Sequence, residues 1–97
     1  MNQRHTLLRI CLAEAVGTFL MVLIGTGVVA TAVLTKAGLS LWEVAAVWGA
    51  GVSLAIYATA AVSGAHLNPS VTLAFALLRP HEFPARRIAA YWAAQLA

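Results

Sequence analysis

Apolar and polar positions alternate in blocks along this chain and divide it into four apolar segments. Two are long enough to cross a bilayer as helices: residues 10–34, about 37 Å of helix, and residues 44–62, about 28 Å. The stretch 35–42 between them contains Gly38 and Ser40 as helix breakers, and Trp42 suits the membrane–water interface. The pattern therefore predicts two transmembrane helices joined by a short loop.

The other two segments are too short to span a membrane. Asn68 is a preferred N-cap and Pro69 fits the first helical position, so a helix is predicted to begin there and to end at Arg79-Pro80. Its length of about 16 Å is roughly half the hydrocarbon thickness. We therefore predict a re-entrant loop and half helix over residues 63–79, followed by the start of a third helix over residues 86–97.

Composition supports an all-α membrane protein. Of 97 residues, 62% are hydrophobic and 9% charged, whereas about a quarter of the residues in soluble domains are charged. A signal peptide is the competing interpretation of the first segment, but that segment is longer than the usual apolar core of about 7–15 residues and contains Glu14. The lone Cys11 provides no disulfide or metal framework, and the scattered cations form no nucleic-acid patch.

The cations are distributed unevenly about the two predicted spans. Only Lys36 lies between them. If the half helix enters and leaves on one side, the cations on the side of the N-terminus are Arg4, Arg9, Arg79, Arg86 and Arg87. The positive-inside rule then predicts a cytoplasmic N-terminus in a bacterial-type inner (plasma) membrane.

Small residues recur at four-residue spacing along the second predicted span. Such rows let helix backbones approach closely inside a membrane, so this span is expected to pack within a helix bundle. The two rows are Ala45, Gly49, Ser53 and Gly51, Ala55, Thr59, Ser63.

The turn before the half helix has its own chemistry. Irregular backbone at membrane depth is tolerated only where protein buries it or water lines it, and Gly64 supplies conformational freedom there. An extended backbone from Ser63 to Leu67 would present a ladder of carbonyl acceptors. Asn68 capping its own helix would fix its amide N–H groups outward, and the helix dipole would disfavour cations. Together these features indicate a pore for neutral hydroxylated molecules; the alternative is an ordinary turn before a surface-lying helix.

Residues 63–72, Ser-Gly-Ala-His-Leu-Asn-Pro-Ser-Val-Thr, resemble the first signature loop of the aquaporin (major intrinsic protein) family, whose usual motif is Asn-Pro-Ala. Residues 13–19 resemble the family's first helix, and Trp42-Glu43 with residues 48–51 resemble the glycerol facilitator (aquaglyceroporin) branch. The resemblance implies six spanning helices and two half helices in two inverted repeats, usually assembled as a homotetramer. It covers the N-terminal half only, and the chain stops in the third helix.

The resemblance also implies roles for single residues. Glu14 would hold the loop by accepting backbone N–H groups, although an interfacial carboxylate paired with Arg9 or Arg4 is the alternative. Trp48 would form an apolar wall at the narrowest part of the pore, with Val52 on the same face; a core or lipid-facing Trp is its alternative.

His66 lies in the predicted loop and Ser70 in the first turn of the predicted half helix. His66 alone is more typical of a structural histidine than of a ligand; the resemblance gives its carbonyl to the pore and its ring to loop support. Ser70 replaces the family's Ala, and its hydroxyl is expected to cap an N–H or to face a neighbouring helix. The predicted pore-lining residues are Trp48, Val52, Gly64, Ala65, His66, Leu67 and Asn68, and the predicted loop and cap supports are Glu14, Pro69 and Ser70.

These inferences predict a channel, not an enzyme, with no cofactor, metal or nucleic-acid partner. The channel would pass glycerol, other small polyols and water across the bilayer by passive diffusion. The chain would act as part of a larger protein or as half of a dual-topology dimer. The cation bias argues against the dimer. One alternative is a proton-coupled small multidrug transporter using Glu14, which would need four full spans. Another is a non-conducting membrane assembly hairpin, which would leave the re-entrant loop unexplained.

Overall fold

A computed structural model describes residues 3–81 and 83–96 of the chain, with side chains from residue 6 onward. Within these residues there are helices and turns but no strand, so the all-α prediction is confirmed. The helices are α1 (Gln3–Leu34), α2 (Leu41–Ser63), α3 (Pro69–Leu78) and α4 (Ile88–Leu96), with a 3-10 turn at Ala85–Arg87 leading into α4.

The first two helices begin earlier than predicted. Helix α1 starts at Gln3 rather than at residue 10, because most of residues 3–9 are the good helix formers Gln, Arg and Leu and neither Gly nor Pro interrupts them. Helix α2 starts at Leu41 rather than at residue 44. Ser40, expected to be a breaker, is its N-cap: the Ser40 hydroxyl accepts from the Glu43 N–H at 3.2 Å, and the Glu43 carboxylate accepts from the Ser40 N–H at 3.1 Å. This capping box places Trp42 in the first turn of the helix.

The half helix is as short as expected. Helix α3 has 10 residues, with Pro69 at its first position and Asn68 as N-cap. It ends at Leu78, and Arg79 is its C-cap. The helix expected from residue 86 begins as an α-helix only at Ile88, because the 3-10 turn precedes it; its expected end at residue 97 lies outside the described residues.

Helices α1 and α2 pack antiparallel through small residues. Thr59 lies against Gly17 and Trp48 against Gly25, so residue numbers fall on α2 as they rise on α1. The predicted row of small residues is buried over its whole length: Gly51, Ala55, Thr59 and Ser63. The other predicted row is exposed on the surface of this chain, because α1 covers only one face of α2.

Helices α3 and α4 complete the fold beside α1. Their contact is a small apolar core of Ile10, Ala76, Phe83 and Tyr91, with Ile88 packed at its edge. Residues 6–34 and α2 are long and apolar enough to cross a membrane. Most of their large apolar side chains point outward, as in Tyr57, which is 88% exposed. This distribution suits helices whose surroundings are lipid or other protein.

Gly51 and Gly49 provide a matched test of the α1–α2 packing. A Cβ at Gly51 would lie 2.8 Å from Cγ2 of Ile24, whereas one at Gly49 would meet nothing within 4 Å. We expect Gly51→Ala to lower the free energy of unfolding by about 1–3 kcal/mol through overpacking. Gly49→Ala should be neutral or slightly stabilising, because Ala is the better helix former. Reversible unfolding in mixed micelles measures both, and equal effects would contradict the packing described here.

Candidate functional site

The segment between α2 and α3 follows an unusual backbone path. Gly64 caps α2 in the left-handed conformation at φ +84°, and Ala65 and Leu67 also have positive φ, at +53° and +58°. The expectation of an extended backbone here is therefore wrong: the chain turns from one helix into the next within a few residues, and left-handed residues make that turn. Left-handed conformations are unfavourable for non-glycine residues, so the surrounding contacts must hold them.

The carboxylate of Glu14, in α1, provides the main support for this loop. One oxygen, Oε2, accepts from the His66 N–H at 3.1 Å and from the Ser63 hydroxyl at 2.6 Å. The other, Oε1, accepts from the Leu67 N–H at 3.0 Å and from the Gln95 amide at 2.7 Å. Glu14 is 0% exposed, so four donors surround a fully buried anion. Charge-assisted hydrogen bonds of this kind are the strong ones, and they compensate for desolvation.

The alternative partners suggested for Glu14 do not reach it in the described part of the chain. Arg9 is exposed, and no ion pair joins it to Glu14. The side chain of Arg4 lies outside the described residues. The carboxylate contacts the loop instead, and it lies eleven residues after the start of α1, about 16 Å along the helix.

Helix α4 also holds the loop. The Tyr91 hydroxyl donates to the Ser63 carbonyl at 2.8 Å, and the Trp92 indole N–H donates to the Pro69 carbonyl at 3.2 Å. Gln95 donates to the Thr72 hydroxyl at 2.9 Å as well as to Glu14. The loop is therefore held by a carboxylate on α1 and by polar side chains on α4, and the two sets meet where Gln95 donates to Glu14.

The His66 ring is part of an aromatic cluster. It stacks on Phe75 with centroids 4.6 Å apart and planes at 7°, and its centroid lies 4.7 Å from that of Tyr91 and 4.9 Å from that of Phe83. Its Nδ1 lies 2.9 Å from the Thr72 hydroxyl. The ring thus packs against α3, α4 and the segment before α4. His66 contacts Glu14 through its backbone N–H and not through its ring.

Asn68 is exposed at the start of α3. Its side-chain oxygen accepts from the Ser70 N–H at 2.8 Å, so the amide nitrogen is the outward end of the side chain. Ser70 is also exposed. Its hydroxyl makes no hydrogen bond within the part of the chain that the structure describes, so the predicted cap of an N–H is not made there. That the hydroxyl faces a neighbouring helix stays a prediction.

Trp48 and Val52 lie away from the loop. Trp48 precedes Ser63 by about 22 Å along the axis of α2, and its indole lies directly on Gly25 of α1. Val52, one turn further along, is half-buried. The structure therefore brings the loop residues and Glu14 together, and it places Trp48 and Val52 at a separate level of the α1–α2 pair.

Several residues of this site were missed by sequence reasoning. They are polar side chains inside apolar segments: Ser63, Thr72, Tyr91 and Gln95. A signal for two of them was present, because Tyr91 and Gln95 are four residues apart on a short apolar helix and so share a face. Polar side chains in membrane helices usually bond across to a neighbouring helix.

Removing one acceptor oxygen from Glu14 should loosen the loop. In Glu14→Gln an NH₂ group would face two of the four donors, so we expect a loss of about 3 kcal/mol in the free energy of unfolding. Hydrogen exchange should accelerate at the His66 and Leu67 amides. Glu43→Gln is the control, because it disturbs only the cap of α2. Unchanged exchange at residues 66 and 67 in Glu14→Gln would contradict the support described here.

Gln95 is expected to act together with Glu14. Gln95→Leu removes the donor shared by Glu14 and Thr72, and it should cost about 2 kcal/mol by leaving both acceptors short of a partner. In the Glu14→Gln background the same substitution should cost clearly less, since the two residues belong to one network. Unfolding in mixed micelles measures the cycle, and additive costs would show that the two side chains act independently.

Comparison with known proteins gives consistent matches. The family model described as "Major intrinsic protein" matches residues 1–97. The chain is 48% identical over 87 residues to the glycerol uptake facilitator protein of Pseudomonas aeruginosa, covering 90% of this chain and 30% of that protein. It is 45% identical over 87 residues to the propanediol uptake facilitator PduF of Citrobacter freundii, covering 90% of this chain and 32% of the relative.

A third relative is the glycerol uptake facilitator protein of Escherichia coli (strain K12), 50% identical over 74 residues, or 76% of this chain and 26% of that protein. The chain thus spans about a third or less of these relatives, rather than half. The resemblance to the glycerol facilitator branch is confirmed. With its two apolar helices and a family match over its whole length, the chain is an integral membrane protein that belongs to the major intrinsic protein family.

Proposed function

We propose that this chain forms part of a channel for passive diffusion of glycerol and other small neutral solutes, with water, across a membrane. The observation that carries the proposal is the loop at residues 64–68, held by the buried Glu14 and ending in the exposed amide of Asn68. Relatives named glycerol and propanediol uptake facilitators support the class of solute.

The loop has the donors and acceptors that such a solute needs. Within the described residues, the carbonyl oxygens of residues 64–67 accept no hydrogen bond from the protein. In this proposal they accept hydrogen bonds from the solute, presented by a left-handed turn instead of the extended ladder predicted from the sequence. The Asn68 NH₂ group supplies the donors, oriented by the cap to Ser70. A hydroxylated molecule both donates and accepts, so it exchanges its water for these groups. The positive end of the α3 dipole at the same place disfavours cations and protons.

Trp48 and Val52 form the apolar wall of the passage in this proposal. Their side chains are partly covered, and they lie at another level of α2 from the loop. The carbon chain of the solute passes along this apolar wall, while the hydroxyl groups of the solute face polar atoms of the protein. The remaining loop residues, Gly64, Ala65, His66 and Leu67, contribute their backbone, while Pro69 and Ser70 begin the half helix.

The conducting unit contains more protein than these helices in our proposal. The side-chain oxygens of Thr18 and Gln95 are buried without a hydrogen-bond partner in the described part of the chain. The two residues also line a mainly apolar groove of about 380 Å³ between α1 and α4, together with Phe19 and Leu23. An open apolar groove of this kind suits contact with further polypeptide. A second repeat, and a homotetramer of complete subunits, would supply it.

The proposed orientation follows from charge. With the half helix re-entrant, the cations other than Lys36 lie on the side of the N-terminus, which we place in the cytoplasm of a bacterial-type plasma membrane. The competing proton-coupled transporter needs a titrating carboxylate open to its substrate. The Glu14 carboxylate is instead occupied by four donors, which favours a structural role and hence the channel.

Asn68→Asp tests the channel directly, because it keeps the capping oxygen and removes the NH₂ donors. Liposomes containing this chain, or the complete reading frame that includes it, are followed by light scattering in a glycerol gradient. We expect the complete protein to conduct glycerol and Asn68→Asp to reduce its permeability about tenfold, the scale of losing a polar contact or two. Tyr57→Phe, on the exposed face of α2, is the control.

Two outcomes would overturn the proposal. One is the absence of glycerol and water flux in the complete protein, together with proton-coupled efflux that depends on Glu14. The other is full glycerol flux in Asn68→Asp. No flux of any kind in a folded protein would favour the non-conducting assembly hairpin.

A further inference from the structure

The Trp48 ring packs directly against Gly25 of α1. A Cβ built on Gly25 would overlap three carbons of the Trp48 six-membered ring, Cζ2, Cη2 and Cζ3. A Cβ on Gly27, two residues further along the same helix, would meet nothing within 4 Å. The Trp48 indole therefore rests on the bare backbone of α1 at Gly25.

Backbone conformation does not require glycine at this position. Gly25 lies inside α1, and among the described glycines only Gly38 and Gly64 have positive φ. A glycine inside a helix costs about 1 kcal/mol relative to alanine. Close approach of Trp48 is thus the physical reason that a side chain is excluded here.

A side chain at residue 25 would displace the Trp48 ring. One side of the ring faces Gly25, and the indole is only partly covered by the described residues. A methyl group at position 25 fills the space of the ring, so the indole must move away from Gly25. Val52 lies one turn further along α2 than Trp48.

We propose that Gly25 is a specificity-determining positioning residue: it seats the Trp48 indole against α1 and so keeps the passage beside Trp48 and Val52 wide enough for a linear polyol. This inference rests on the proposed function, in which Trp48 forms the apolar wall. Gly25 itself touches no solute. It acts through the ring, and the class of solute it selects for is three-carbon and longer polyols over water.

The seating of the ring is tested without any transport measurement. In a Trp42→Phe, Trp92→Phe background, Trp48 is the one remaining tryptophan, because the chain has three. The variants are placed in nanodiscs, and the emission maximum and acrylamide quenching are recorded. We expect Gly25→Ala to shift the emission to longer wavelength and increase quenching, and Gly27→Ala to leave both unchanged. Unchanged emission and quenching in Gly25→Ala would overturn the inference, whether or not the protein conducts.

A double-mutant cycle covers the case in which Gly25→Ala folds poorly. Trp48→Ala removes the ring that the new methyl group would meet. The loss of stability from Gly25→Ala should therefore disappear in the Trp48→Ala background. If the loss persists there, Trp48 is not the neighbour that excludes a side chain at residue 25, and the inference is overturned.

Selectivity is measured on the complete protein in liposomes. We expect Gly25→Ala to lower the ratio of glycerol to water permeability about tenfold, the scale on which one methyl group changes discrimination in an apolar site. Gly27→Ala should leave the ratio unchanged. A moved ring with an unchanged ratio would overturn the specificity role. A wild-type protein that passes no glycerol would overturn the proposed function and this role with it, and the fluorescence result would still decide whether Gly25 seats Trp48.

Discussion

The buried carboxylate of Glu14 is the constraint on which the rest of this structure depends. A loop with left-handed Ala65 and Leu67 is unfavourable on its own, and an ionised carboxylate without partners is costly to bury. Each compensates for the other, since the loop N–H groups need an acceptor and the anion needs donors. The left-handed loop and the buried carboxylate thus stabilise each other and form one rigid arrangement that joins α1, the loop and α4.

The close packing of this molecule also depends on glycines, which have no side chain. Gly17 leaves room for Leu67, whose Cδ2 would lie 2.5 Å from an added Cβ, Gly51 leaves room for Ile24, and Gly25 leaves room for Trp48. In lipid there is no hydrophobic drive to press helices together, so close backbone contact must supply the attraction. The same glycines therefore bring α1 against α2 and position the loop and the Trp48 ring relative to both helices.

The channel that we propose for this chain would have two opposing requirements. Its polar groups must be open to the solute, yet they must not relax to satisfy themselves when the solute leaves. The Asn68 amide is oriented by its bond to the Ser70 N–H, and the backbone leading into and through the loop is held by Glu14 and Tyr91. In the proposed channel this rigidity would keep the Asn68 amide and the loop carbonyls available for hydrogen bonds with a passing solute.

By itself the sequence determined the class of protein, the two helices long and apolar enough to span a membrane, the half-length helix beginning at Asn68-Pro69 and the small-residue row of α2. These follow from apolar length, capping chemistry and four-residue spacing, which are local properties. Tertiary structure decided the rest. It gives the loop its left-handed residues and Glu14 its four partners, it brings Tyr91 and Gln95 into hydrogen bonds with Ser63 and Glu14, and it packs Trp48 against Gly25. The physical reason is distance along the chain, because Glu14 and Gln95 are 81 residues apart and only the fold brings their side chains within hydrogen-bonding reach.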